Sequence, residues 1–236
     1  MSSHDSLAVF AALAAELQQE PDEAITSRAI VTRMRDLVPE ADQVSLTIRT
    51  SRGHRTLASS DALAQEADAL QYALGEGPCL EIADTGGWLR SGDVGSDSRY
   101  PAWGPRASEL GVGSLLAVAV TDRDEPLGAL NLYSTRTGAF DDRDVVDLAL
   151  VYAVHATTAL SSARRASTLQ TAISSRHVIG MAQGIAMERY GIDQHQSFEL
   201  LRRLSSTTNV KLRDVATQIV ETRAIPHERA AEPVDD

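Results

Sequence analysis

The chain has 236 residues, 43% of them hydrophobic and 4% aromatic, with a formal net charge of -11. That length suits two domains with cores of Ala, Val, Leu and Ile, and the charge excludes a protein that coats nucleic acid without specificity. Cys79 is the only cysteine, which excludes an intrachain disulfide and a cysteine-held zinc.

Residues 5–19 (DSLAVFAALAAELQQ) predict an Ala/Leu-rich amphipathic helix that ends before Pro21, within an N-terminal segment 1–21. A second helix is predicted from Asp22 to Leu37, stopped by Pro39. Val44, Leu46 and Ile48 then alternate with polar residues, the period of a half-buried strand. A turn at Ser51–His54 leads into a paired strand over Arg55–Ser59, and a helix is predicted over Ala62–Ala73. Residues 75–104 hold seven glycines and read as a long irregular loop, apart from a short strand at Trp88–Ser91. A short helix at Arg106–Leu110 and strands at Ser114–Val120 and Gly128–Tyr133 follow, the strands joined by the turn Thr121–Pro126. Strands and helices interleave with hairpin-like pairs, so residues 22–160 predict an α+β domain, an antiparallel sheet flanked by helices.

From Asp141 the pattern is helical, and no Pro or Gly occurs between Asp141 and Ile179. Leu148, Tyr152, Ala159, Ala166, Leu169 and Ile173 fall near heptad spacing, which admits a coiled-coil dimer. The first half of this stretch reads instead as a helix packed on its own sheet. Residues 161–225 continue as linker helix and three-helix module. Gly191 stops the first helix, Asp193 with Gln196 caps the second, and Asn209 is expected to cap the third. The acidic, Pro-containing tail 226–236 reads as disordered. Nothing resembles a secretory leader or a bilayer-length apolar run, so a cytoplasmic protein with no membrane partner is expected.

The module's residues carry two anomalies. Arg176, Gly180, Gln183 and Met187 share a helix stripe away from the expected core at Val178, Ala182, Ile185 and Ala186. Gly180 and Gly184 each disfavour the helix by roughly 1 kcal/mol against Ala, which calls for close approach by an RNA base or phosphate, or by another helix. For Gly184 the other helix is the plainer reading. Lys211 and Arg213 fall at the start of the third helix, where its dipole opposes positive charge. Either an anion binds there, or Asp214 compensates locally. Residues 171–225 hold seven basic and five acidic side chains, so the acidity lies in the front domain.

SSRHVIGMAQGIAMERYGI followed by SFELLRRLSSTTNVKLRDVA closely resembles the ANTAR domain, a bacterial antitermination module. The resemblance covers about 55 residues, roughly Thr168 to Arg223. Ala186 stands where the family usually has a larger aliphatic residue. The resemblance implies binding to paired hairpins in leader RNA, usually as a homodimer, and control of transcription elongation. Exposure and charge together with the family match put Arg176, Gly180, Gln183, Met187, Arg202, Lys211 and Arg213 on the RNA face. GEGPCLEI, SGDVGSDSRYPAW, GSLLAVAV and PLGALNLYS in turn resemble a GAF domain, a sensor fold often fused to ANTAR in actinobacteria. A GAF–ANTAR regulator is therefore expected, gated by a small molecule or protein partner. Cys79, Trp88, Tyr100 and Trp103 are candidates to line its pocket, or simply to cover the sheet.

The six histidines are scattered without metal-ligand spacing, and no G-x-S-x-G elbow is present. A GAF-like methionine sulfoxide reductase normally needs several cysteines. No catalytic residue, metal or cofactor is expected. The competing readings are a DNA-binding regulator whose third helix enters the major groove and a redox sensor using Cys79.

Overall fold

The computed structural model describes residues 22–122 and 125–226, which form two compact units divided after Ser167. The helix predicted over 5–19 and the tail beyond Pro226 lie outside the described residues.

In the first unit, α1 (Glu23–Leu37) starts where the Asp22 carboxylate accepts from the Ala24 and Ile25 amides, at 2.8 and 3.0 Å. β1 (Gln43–Thr50) and β2 (Gly53–Ser59) form a hairpin, followed by α2 (Ala62–Leu74). Then come α3 (Pro78–Thr85), β3 (Trp88–Ser91), α4 (Trp103–Glu109), β4 (Ser114–Asp122) and β5 (Glu125–Ser134). The sheet order is β2-β1-β5-β4-β3, antiparallel at every pairing.

Helices cover both faces of this sheet. Val44, Leu46, Ile48, Val118, Leu130 and Leu132 pack against α1 and the first part of α5 (Arg143–Tyr190), through Ile30, Met34, Tyr152 and Leu160. On the other face, Leu115, Ala117, Ala129 and Tyr133 pack against Ala64, Cys79 and Trp103 of α2, α3 and α4. The alternation in β1 predicts a half-buried strand, but Ser45 and Thr47 are fully buried as well. A polar residue on an alternating strand need not face water when a helix lies over it.

The long loop expected over 75–104 is also corrected. It contains α3, a 3-10 turn at Val94–Ser96 and α4, which starts at Trp103 rather than Arg106. α3 opens at Gly77, whose φ of +145 few other residues adopt, and Pro78 takes the first turn, where its missing N–H costs no bond. Eight helical residues are too few to show a hydrophobic period against so much glycine.

The second unit takes the end of α5, then α6 (Gln194–Thr208) and α7 (Leu212–Thr222). Asp193 and Gln196 close the expected capping box. Asn209 does not start α7: it ends α6 at φ 54, a left-handed conformation that Asn tolerates. Lys211 holds the N-cap of α7 and makes no side-chain cap bond. Ala182, Ala186, Leu201, Leu204, Val215, Ala216 and Ile219 form the core, with Val178 and Ile185 half-buried at its edge. By length and composition α5 is the one helix among the described residues able to cross a bilayer, yet 50% of its apolar window is buried. Such burial is that of a domain's core helix.

Candidate nucleic-acid interface and sensor core

The four candidate pocket residues do not line one cavity. Cys79 and Trp103 are at 0% exposure and Tyr100 at 4%, within the cluster under α2, α3 and α4. Trp88 is 42% exposed and pairs with Val118, so its side chain lies on the opposite sheet face. Trp103 donates its indole N–H to the Ala67 carbonyl at 3.3 Å, and Tyr100 donates to Glu81 Oε2 at 2.6 Å. The two rings meet edge-on with centroids 6.1 Å apart. These are packing contacts, and the pocket expectation is corrected to that extent.

The same face holds a buried polar network that the sequence reading misses. Asp68 Oδ1 accepts from Ser45, Asn131 and Tyr133, at 3.0, 3.2 and 2.5 Å. Its Oδ2 accepts from Thr56 at 2.7 Å, and Thr47 bridges to the Tyr72 hydroxyl at 2.8 Å. Burial pushes the Asp68 carboxyl up, against hydrogen bonds from Tyr133 and Thr56 that pull it down. Burial and the neighbouring Asp68 likewise push the Cys79 thiol up. Cys79 Sγ lies 3.1 Å from Thr47 Oγ1, and its amide donates to Gln71 Oε1 at 2.8 Å. A signal was present: at helical spacing Asp68 and Gln71 share a face with Ala64 and Ala67, so the polar groups lie on the stripe that packs.

In the second unit the candidate RNA residues spread over three helices. Arg176, Gly180 and Met187 are exposed along α5. A Cβ added at Gly180 or Gly184 would meet nothing within 4 Å among the described residues. No helix among the described residues makes the close approach expected for Gly184. Gln183 donates its amide to the Gln194 carbonyl at 3.1 Å and to Ser197 Oγ at 3.3 Å, which ties α5 to the start of α6. Arg202 pairs with Glu199 at 2.6 Å and Arg213 with Asp214 at 3.0 Å, while Lys211 is exposed. So Asp214 does compensate one of the two cations at the start of α7. Of these candidates Gln183 lines a groove, together with His195 and Phe198, and a second groove is lined by Met181, Gly184, Ile185 and Val220. Among the described residues no group of three or more His, Cys, Asp or Glu is placed to hold a metal.

Comparison with known proteins follows the same division. A GAF domain family model matches residues 20–161, and an ANTAR domain model matches residues 167–220. Comparison with curated proteins finds no match. Among solved structures, the GAF domain of a phosphoenolpyruvate-protein phosphotransferase from Coxiella burnetii is similar at 17% identity and a TM-score of 0.55, over 71% of this chain and 99% of that one. The corresponding domain from Acinetobacter is similar at 13% identity and a TM-score of 0.54, with the same coverage. Free methionine-R-sulfoxide reductase from Neisseria meningitidis, solved with its substrate, aligns at 15% identity and a TM-score of 0.52, over 65% of this chain and 87% of that one. At such identities these likenesses speak for the fold alone. The chain belongs to the GAF domain family over residues 20–161 and carries an ANTAR domain at residues 167–220, so it unites a sensor domain with an RNA-binding antitermination module.

Proposed function

We propose that the protein is a cytoplasmic homodimer that binds paired hairpins in leader RNA and is gated by a small molecule or protein partner at its GAF domain. Stabilising those hairpins competes with formation of a terminator hairpin, so transcription continues. The ANTAR match over residues 167–220 is the observation that carries this reading. Exposed Arg176, Arg202, Lys211 and Arg213 support it as phosphate contacts. Bare backbone at Gly180 and the exposed Met187 suit unstacked bases. The reading is non-catalytic. A redox role for Cys79 is disfavoured, because a fully buried thiol held protonated is a poor nucleophile.

Crosslinking in the native cell, followed by sequencing of bound nucleic acid, tests the proposal. Recovery of leader transcripts with two adjacent hairpins is the expected result. Recovery of double-stranded promoter DNA would favour the reading in which α7 enters a major groove.

A further inference from the structure

The GAF reading implies a signal, and the sheet face beneath α2, α3 and α4 is filled by fully buried side chains such as Cys79, Trp103, Tyr133 and Asp68. The opposite face is different. Between the adjoining ends of β3 and β4 and the first half of α5 lies a cleft of about 490 Å³. Val118, Leu150 and Ala153 line it, with Trp88 at 42% and Val154 at 65% exposure beside them. A second recess of about 230 Å³ adjoins it, lined by Arg49, Arg164, Glu125 and Leu127. Asp122, Ser161 and Arg165 belong to both.

Ser161 is the feature that packing does not explain. It is 4% exposed, and its hydroxyl has no hydrogen-bond partner among the described residues. A helical serine or threonine ordinarily returns its hydroxyl to the carbonyl one turn back, as Thr158 does to Val154 at 3.1 Å. A buried hydroxyl left unpaired is unfavourable. Here it lies where an apolar cleft meets an arginine-lined recess. Arg165 touches Asp122 Oδ2 at 3.3 Å through one nitrogen, and a guanidinium has five N–H donors. Arg49 is exposed.

We propose that this cleft is the ligand site of the sensor domain and takes a planar aromatic or heteroaromatic acid. The flat apolar body lies against the Trp88 indole and the Val118–Val154 wall. Its edge hydrogen-bonds to Ser161, and its anionic group is held by Arg49 and Arg165. The volume is that of a small-molecule site, largely apolar with a few convergent polar groups. α5 lines the cleft and also carries Arg176 through Met187, so occupancy acts on the helix that the RNA-binding unit uses. This proposal rests on the sensor reading, whereas hairpin binding by residues 167–220 does not depend on it.

The test titrates the full chain with anilinonaphthalene sulfonate and with the uncharged phenylnaphthylamine, reading probe fluorescence and energy transfer from tryptophan. Saturable binding of one sulfonate probe per chain is expected. Trp88→Ala should weaken it about tenfold and Ser161→Ala several-fold, with the Ser161→Ala fold at least as heat-stable as the parent. Arg49→Ala combined with Arg165→Ala should weaken the sulfonate and leave the uncharged probe unchanged. Absence of saturable binding, or equal affinity in the parent, Trp88→Ala and Ser161→Ala, overturns the site. So does a parent dimer that becomes monomeric on Trp88→Ala, because a second copy then covers the cleft. Hairpin affinity measured on the same samples separates the two claims. Retained RNA binding with failed probe binding removes the cleft alone, and failed RNA binding by the parent removes the regulator reading.

Discussion

Gly180 and Gly184 lie inside a helix with open space where their side chains would be. Replacing either by Ala should therefore stabilise the module by about 1 kcal/mol. If the bare backbone receives a base, Gly180→Ala should also weaken hairpin binding. Thermal melts and hairpin titrations check both, and a stabilised variant with parental affinity would take Gly180 off the RNA face. Asp68 supports a second expectation. Its folded pKa lies above the ordinary 3.8, so the fold binds a proton that the unfolded chain has released. Stability from this group is complete below pH 3.8 and declines as pH rises, by up to about 1.4 kcal/mol per unit while the carboxyl stays protonated in the fold. Asp97 acts in the opposite sense: hydrogen bonds from Arg99 hold it at about 2, so its contribution is lost only as pH falls below 3.8. Asp68→Asn should flatten the decline above pH 3.8, as read by melting midpoints. Asp68→Ala should be less stable than Asp68→Asn, since it strands the Ser45, Thr56, Asn131 and Tyr133 donors. Equal slopes in the parent and Asp68→Asn would show that Asp68 is ionised in the fold.

Among the elements, the parts legible in the sequence were those whose own chemistry decides them. The capping box at Asp193 and Gln196, the apolar stripe of α7 and the apolar, strand-sized runs of β4 and β5 are local signals, and the structure keeps them. What the sequence hid depends on neighbours. Ser45 and Thr47 look solvated until α2 lies over them, and α3 is short and bracketed by glycines. Asn209 has the chemistry of both a start and a stop, and tertiary context made it a stop. The corrected cap leaves Lys211 and Arg213 at the head of α7, where neither suits the helix dipole. Lys211→Ala with Arg213→Ala should leave the circular dichroism spectrum intact. On single-stranded RNA it should lower the salt slope of binding by about 0.7 per lost contact. An unchanged slope would mean that both charges are merely solvated, Arg213 by its contact with Asp214.

For the whole molecule, the division between an acidic front and a mildly basic helical back was legible in charge, and it matches the two compact units. The candidate sensor pocket was not, because residue type cannot say that Cys79 and Trp103 face inward while Trp88 lies on the opposite face. The heptad-like seam also divides. Tyr152 and Ala159 are spent on the domain's own core, whereas Leu169 and Ile173 are 63% and 61% exposed. The proposed homodimer would therefore be held by the second half of α5. Light scattering should give twice the chain mass for the parent and the single mass for Leu169→Asp with Ile173→Asp, and a monomeric parent with and without RNA would remove the homodimer. The proposed function stands or falls on recognition of paired RNA hairpins by the ANTAR domain. Its most direct test is fluorescence anisotropy with the full chain against three probes of matched length: a paired-hairpin leader RNA, a single hairpin and a DNA duplex. Binding should be tightest to the paired hairpins, weaker to one hairpin and only weak and salt-sensitive on the duplex. Equal or tighter binding to the DNA duplex would contradict it.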